Sequence, residues 1–260
     1  MTTVPPEFLS LIHRLADASG EVIRPYFRKV SYEDKPDATP VTVADRGAEE
    51  AIRALLQKER PQDGVWGEEF GASNMEAEWS WVIDPIDGTK AFIRGMPMFA
   101  TLIGLKHGEE FVLGVIDQPI LRERWTGGIG HPATFNGQKV KTRACSALDQ
   151  AVLNATAPGM FKGANADAGK KFSGLEDATK YSLWGGDSYA YGLVASGFID
   201  IQVDTSLKPH DYAALAPVII AAGGRMTDWE GKALTMQSDG KVIAVGDPRL
   251  LEPSLAFLKN

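Results

Sequence analysis

Trp81-Val82-Ile83-Asp84-Pro85-Ile86-Asp87-Gly88-Thr89 is the stretch on which the reading of this chain turns. A short apolar run rich in strand-forming residues leads directly into two carboxylates three positions apart. Both acids leave the strand for a loop and can face one spot. Pro85 fixes φ and removes a backbone donor between them, which keeps the spacing rigid. Gly88 permits close backbone approach, and the N–H groups of Gly88 and Thr89 can cradle an anion. Hard oxygen donors at this density suit Mg2+ rather than zinc. Taken alone, D-x-x-D-G is more often a solvated strand-end turn, so its weight comes from its surroundings.

Upstream, Val65-Trp66-Gly67-Glu68-Glu69 reads as a short strand ending in acid, and downstream Asp211 starts a helix after Pro209, where a plain N-cap is the simpler role. Acids gathered from separate element ends repel one another unless a cation collects them. Around these points the spacing predicts a helix after Pro5-Pro6 carrying Phe8, Leu11, Ile12, Leu15, Val22, Ile23 and Phe27. It predicts a second over Val43–Glu59, closed by Pro61. Residues 100–106 and 111–117 form a hairpin, Arg124-Trp125-Thr126 a further strand, and Asn136-Gly137 a two-residue turn. Segment 154–180, polar and rich in Ala, Gly and Lys, reads as a seam between halves or a mobile surface stretch. A helix over 188–196, a strand over 199–203 and a helix over 211–222, kinked by Pro217 and closed by Gly223-Gly224, complete the pattern. Tyr189 and Tyr191 read as core. Gly128-x-Gly130-x-x-Ala133 has a dinucleotide-binding spacing, but Pro132 and the Asn136-Gly137 turn leave no helix to open there.

The 260 residues carry 27 Lys plus Arg against 34 Asp plus Glu, a net charge of −7, which argues against nucleic acid or an anionic membrane as partner. A single cysteine, Cys145, excludes an internal disulfide, and no Cys/His cluster offers structural zinc. Glu7, His13, Arg14 and Asp17 interrupt the apolar residues near the N-terminus, unlike a signal peptide, and no run approaches the roughly 18 apolar residues of a membrane span. The expected compartment is the cytoplasm.

Four motifs follow one order over nearly the whole chain. They are Lys35-x-Asp37-x-Thr39-Pro40-Val41-Thr42-x-Ala44-Asp45, then Trp66-Gly67-Glu68-Glu69, then Asp84-Pro85-Ile86-Asp87-Gly88-Thr89, and His210-Asp211 followed by Ala213-Ala214 and Gly223-Gly224. With them the sequence resembles the inositol monophosphatase-like superfamily of Mg2+-dependent, Li+-sensitive phosphatases. The resemblance implies an α+β fold, a layered αβαβα sandwich, in which residues 1–140 carry most metal ligands and 141–260 complete the site. It implies that Glu68, Asp84, the Ile86 carbonyl, Asp87 and Asp211 hold roughly two to three Mg2+ ions. Asp45 and Thr89 match the pair that orients and helps deprotonate the attacking water, with Glu68 beside them in the catalytic set. Asp87 and the amides of Gly88 and Thr89 match substrate and phosphate contacts. Glu69 matches an acid behind the metals, and Lys35 a basic residue at the mouth of the site. Homodimers are usual in the superfamily.

Three stretches look more like its histidinol-phosphate phosphatase branch: Gly88-Thr89-Lys90-Ala91-Phe92-Ile93-x-Gly95, Gln118-Pro119-Ile120-Leu121-x-Glu123-Arg124-Trp125, and Trp184-Gly185-Gly186-Asp187-x-Tyr189-x-Tyr191-Gly192. Inositol phosphatases commonly show Gly-Ser-Ala-Ala at the last of these. Arg94 and Thr126 depart from the branch pattern, which has a small polar residue and a second tryptophan there. Asp187 can pair with the ammonium of histidinol phosphate, and Asp204 matches a position that offers an acid to substrate. The implied reaction is Mg2+-dependent hydrolysis of histidinol phosphate, a small phosphomonoester, to histidinol and phosphate. An inositol-1-phosphate or broad sugar-phosphate phosphatase is the alternative. A non-catalytic metal-binding scaffold would have lost a metal acid or the water pair, yet Asp45, Glu68, Asp84, Asp87, Thr89 and Asp211 are all present.

Overall fold

The structure, a computed structural model, describes residues 3–29, 31–34 and 40–259. Helix α1 (Pro6–Ile23) begins on proline, which forfeits no hydrogen bond in a first turn. It ends four residues before Phe27, which instead packs its ring against Phe92 and Phe99. Helix α2 (Val43–Glu59) has the bounds its spacing predicts. Its start is a capping box: the Thr42 hydroxyl accepts from the Ala44 and Asp45 amides, and the Asp45 carboxylate accepts from the Thr42 N–H at 2.8 Å.

Strands β1 (Tyr32–Asp34) and β2 (Pro40–Thr42) pair with each other just before α2. Next come β3 (Gly64–Gly67), β4 (Gly71–Ser73), β5 (Trp79–Asp87), the short helix α3 (Thr89–Ile93), β6 (Ala100–His107), β7 (Glu110–Gln118), β8 (Glu123–Gly128), β9 (His131–Phe135) and β10 (Gln138–Lys139). They build an eight-stranded sheet in the order β10-β9-β8-β7-β6-β5-β3-β4, antiparallel except between β3 and β5. The predicted hairpin is β6–β7, and the Gly128–Ala133 spacing is the β8–β9 hairpin, with no helix.

The remainder runs β11 (Val152–Ala155), α4 (Ala166–Ala178), β12 (Tyr181–Trp184), α5 (Asp187–Ala195), β13 (Ile201–Asp204), α6 (Pro209–Tyr212), α7 (Leu215–Ala221), β14 (Arg225–Asp228), β15 (Val242–Val245) and α8 (Leu251–Leu258). Its five strands order as β12-β11-β13-β15-β14. Successive side chains on a strand face opposite ways, and here both faces are covered. Ile103, Leu105, Leu113 and Val115 pack with Leu11, Ile12, Leu15 and Ile52, whereas Leu102 and Ile116 join Tyr191, Val194, Leu215 and Val218. Beyond the second sheet, Leu153, Ile201 and Ile243 meet Phe172, Leu175, Leu255 and Leu258. The layers are α1/α2, the large sheet, α5/α7, the small sheet and α4/α8, the αβαβα sandwich that the resemblance implies. Among the described residues no helix is long and apolar enough to cross a membrane.

Two expectations are corrected. Segment 154–180 is no seam or mobile stretch: it contains the end of β11, an interior strand, and all of α4. The apolar residues of α4 are few, but Ala168, Phe172 and Leu175 recur at helical spacing and are buried. The helix expected over 211–222 is two helices, divided at Ala213-Ala214. Pro217 has no N–H to give the Ala213 carbonyl, so the interruption falls one turn upstream of the proline. Glycines receive it, since a Cβ on Gly104 would lie 2.9 Å from the Ala213 oxygen and one on Gly114 only 1.9 Å from the Ala214 oxygen.

Gly114→Ala therefore forces helix and sheet apart, costing upwards of about 2 kcal/mol by overpacking. Thermal unfolding should show a midpoint lowered by about 4–8 °C for a chain of this size. An unchanged midpoint would mean the contact is not rigid.

Candidate active site

In a regular strand Asp84 and Asp87, three residues apart, would face opposite sides. The ladder between β5 and β6 shifts register here: Asp84 pairs with Leu102 and Asp87 with Ala100, so β5 carries one extra residue, a bulge. The bulge turns both acids inward. Asp211 reaches them from the first turn of α6, where Pro209 starts the helix and the Lys208 N–H donates to its carboxylate at 2.6 Å. Oxygens of Asp84, Asp87 and Asp211 lie within 4.8 Å of one another, and Glu68, Asp84 and His210 form a second such group. The two groups share Asp84.

Glu68 follows β3, held by its N–H to the Ile83 carbonyl at 3.1 Å. A residue that sequence reasoning missed shapes this loop. Glu49 of α2, fully buried, accepts from the Glu69 and Phe70 N–H groups at 2.8 and 3.3 Å and pairs with Arg53 at 2.7 Å. A Cβ on Gly67 would sit 1.8 Å from a Glu49 oxygen, which explains the glycine before Glu68-Glu69. The only signal in the sequence is an i, i+4 Glu–Arg pair, indistinguishable from an ordinary surface pair.

Glu68, Asp84, Asp87, Thr89, Asp187 and Asp211 line a cavity of about 330 Å³, with the Ile86 and Gly88 backbone beside them. Asp45 stands behind this wall: the Thr89 hydroxyl donates to the Ile86 carbonyl at 3.0 Å and lies 3.5 Å from Asp45 Oδ1. Glu69 is not among the lining residues, and Lys35 lies outside the described residues.

The opposite wall is the start of α5. Gly185, Gly186 and Asp187 have φ of +112°, +100° and +40°, and for aspartate this is a strained left-handed conformation. A Cβ on Gly88 would come within 3.2 Å of Asp187 Cγ, so the two segments approach closely only because Gly88 has none. Ser188 donates its N–H to Asp87 at 2.8 Å. Asp204 also lines the cavity, but it is fully buried and its oxygens accept from Tyr191 Oη at 2.9 Å, Gln202 Nε2 at 2.7 Å and the Thr156 N–H at 2.8 Å. Tyr191, read as core, is both core and cavity wall.

Burial raises Asp84, Asp87, Asp187 and Asp211. Asp84 is pushed well above the usual carboxylate range, first by burial and then by Glu68, Asp87 and Asp211. Burial lifts Asp87 to about 6 against the opposing hydrogen bonds from Ser188, and burial with the Asp87 charge lifts Asp211 to about 8. Asp187 rises to about 8 through burial, Asp87 and Asp204, relieved in part by Lys90. Burial also raises Asp45. Crowded, buried and half-buried carboxylates with backbone carbonyl oxygen beside them are a hard, mainly oxygen donor set, and they fit a divalent cation such as Mg2+.

A cation-collecting carboxylate cluster in a cleft sized for a small polar molecule defines the site. The chain belongs to the inositol monophosphatase family, which it matches over residues 6–256. It is 44% identical over 262 aligned residues to the bifunctional phosphatase IMPL2, chloroplastic, of Arabidopsis thaliana, covering 97% of this chain and 75% of that one. It is 37% identical over 230 residues to the histidinol-phosphatase of Mycobacterium tuberculosis, covering 86% and 88%. The solved structure of an inositol monophosphatase from Zymomonas mobilis superposes with a TM-score of 0.90 at 44% identity over the whole of both chains.

A carboxyl raised on folding binds its proton more tightly in the folded chain. Its contribution to stability is complete below the unfolded value near 4 and is lost as pH rises through the folded values, about 6 for Asp87 and about 8 for Asp211. A cation that neutralises the ionised cluster restores that loss. The gain in thermal midpoint on adding Mg2+ to the metal-free protein should therefore widen from about pH 5 to about pH 8. A gain independent of pH would separate these carboxylates from metal binding.

Proposed function

We propose that this protein is a Mg2+-dependent phosphomonoesterase that hydrolyses histidinol phosphate to histidinol and phosphate. Asp187 carries the reading: a carboxylate in the cavity wall, against Gly88 and across from the metal acids, where an ammonium close to a phosphate ester would meet it. An ammonium beside Asp187 returns its raised carboxyl to the ionised form. The likeness to the Mycobacterium tuberculosis histidinol-phosphatase supports the same choice.

Glu68, Asp84, the Ile86 carbonyl, Asp87 and Asp211 would hold roughly two to three ions. Mg2+ bound there acidifies water and offsets the charge of the phosphoryl oxygens. Thr89 Oγ1 accepts a hydrogen bond from the attacking water and can pass its own proton towards Asp45 Oδ1, 3.5 Å away. Burial makes Asp45 a better proton acceptor near neutral pH than a solvated aspartate. The Glu68 carboxylate flanks the same water. At the start of α3, the amides of Gly88 and Thr89 bind the phosphoryl oxygens. Asp204, with its oxygens occupied, acts by positioning Tyr191 and the Thr156 backbone, and Glu69 acts from behind the metal acids. The same reading takes the protein as a cytoplasmic homodimer.

An inositol-1-phosphate phosphatase is the second reading, favoured by the likeness to the Zymomonas mobilis enzyme. Phosphate release with Mg2+ from L-histidinol phosphate and from myo-inositol-1-phosphate separates them. We expect kcat/KM to favour histidinol phosphate by at least about tenfold, the worth of one charge-assisted contact. Comparable values would favour the second reading, and no release from either ester would overturn both.

Asp187→Asn should lower kcat/KM for histidinol phosphate by about 10- to 100-fold and change inositol phosphate turnover only a few-fold. Equal losses on both substrates would remove Asp187 from recognition.

A further inference from the structure

A second cavity, of about 500 Å³, lies between α1 and the strand ends and turns of β7, β8 and β9, away from the carboxylate cluster. Its α1 wall presents His13, Asp17 and Glu21, spaced to share one helix face, with Arg24 just past the helix end. The charges here are not equally committed. Arg124 is spent: Nε donates to Asp117 at 2.6 Å, Nη2 to Asp17 at 2.7 Å and Nη1 to the His13 carbonyl at 3.3 Å. Among the described residues Arg24 pairs with Glu21 alone, three positions back in α1, where the carboxylate is 79% exposed and the pair is weak. Arg122, which also lines the cavity, makes no side-chain hydrogen bond or ion pair among the described residues.

Two features indicate that the cavity is built. Arg122 holds a left-handed φ of +58°, unusual for a residue with a side chain, and Asn136 fixes it. Asn136 Nδ2 donates to the Arg122 carbonyl at 3.0 Å, and its Oδ1 accepts from the Arg124 N–H at 2.9 Å. The second feature is Thr126, one of the two departures from the branch pattern. It is 2% exposed and lines the cavity, yet its hydroxyl is buried without a hydrogen-bond partner among the described residues. A buried hydroxyl left unmade is costly, and a ligand acceptor would satisfy it. His13, whose pKa burial and Arg124 lower, is a neutral wall that adds no charge.

We propose that this cavity is a second binding site for a small oxyanion, a phosphate or a carboxylate, gripped by the Arg122 and Arg24 guanidiniums and hydrogen-bonded by Thr126. The lining balances Asp17, Glu21 and Asp117 against three arginines, so the class is selected by the uncommitted guanidinium forks, which match both kinds of anion and leave the two to be told apart. The proposal does not depend on which ester the carboxylate site hydrolyses.

Isothermal titration of the dialysed, metal-free protein with inorganic phosphate, and separately with malonate, tests it. Without metal the carboxylate cluster repels both probes, so binding reports on the second cavity. Saturable binding of at least one probe is expected, weakened at least about tenfold by Arg122→Gly and severalfold by Thr126→Val. Glycine suits the left-handed backbone, so Arg122→Gly should keep the thermal midpoint and the Mg2+-dependent phosphatase activity of the parent. Binding of phosphate alone assigns a phosphate-bearing ligand, and binding of malonate alone a carboxylate. Absence of binding by both probes, or binding indifferent to Arg122→Gly, overturns the proposal.

Discussion

The mutual repulsion of Asp84, Asp87 and Asp211 must be held in check by the scaffold whether or not a cation is bound. Each of these acids, and Asp45 behind them, accepts a main-chain N–H: from Ile86 to Asp84 at 3.0 Å, Ser188 to Asp87 at 2.8 Å, Lys208 to Asp211 at 2.6 Å and Thr42 to Asp45 at 2.8 Å. A backbone donor cannot swing away as a side chain can. It anchors a carboxylate without adding a competing positive charge, so the repulsion stays available to attract a cation. An arginine in the same role would have neutralised the cluster. Lys90 is the one basic side chain among the described lining residues, and it relieves Asp187 on the opposite wall.

The remaining architecture brings those donors together from distant parts of the chain. Ile86 belongs to the bulged end of β5, Thr42 caps α2, Ser188 opens α5 and Lys208 precedes α6. Delivery of Asp211 depends on the break between α6 and α7. Pro217 interrupts the helical ladder one turn upstream, and Gly104 and Gly114 let the interrupted backbone lie directly on the large sheet. A bulkier residue at either glycine would lift α6 and α7 together, and with them the acid that closes the cluster.

Much of this was legible where the signal is local. The apolar spacing of α2 and the strand running into Asp84 need only neighbouring residues to be read. Asn136-Gly137 marked its turn equally well, and both residues have positive φ. What escaped depends on partners far along the chain. Glu49 and Arg53 look like a surface pair until the loop after β3 folds over them. The bulge that turns Asp84 and Asp87 to one side exists only against β6, and Pro85 was its sole trace. In 154–180 small polar residues masked a helix whose few apolar side chains suffice because α8 covers them.

Asp187 shows how the two walls of the cavity share one support. Its left-handed backbone stores strain of about 1–3 kcal/mol, which persists only if the surroundings over-determine it. Asn154 Nδ2 donates to the Gly185 carbonyl at 2.9 Å and to Gln202 at 2.7 Å, and Gln202 in turn donates to Asp204. That buried chain of hydrogen bonds fixes the loop from behind. One residue further on, the Ser188 N–H is already on Asp87. The segment that carries the Asp187 carboxylate therefore also steadies Asp87, and the two cannot be displaced independently. A substitution at Asp187 that relaxed the backbone would move the Ser188 donor as well, whereas an isosteric amide leaves the backbone in place and changes only the charge presented to the cavity.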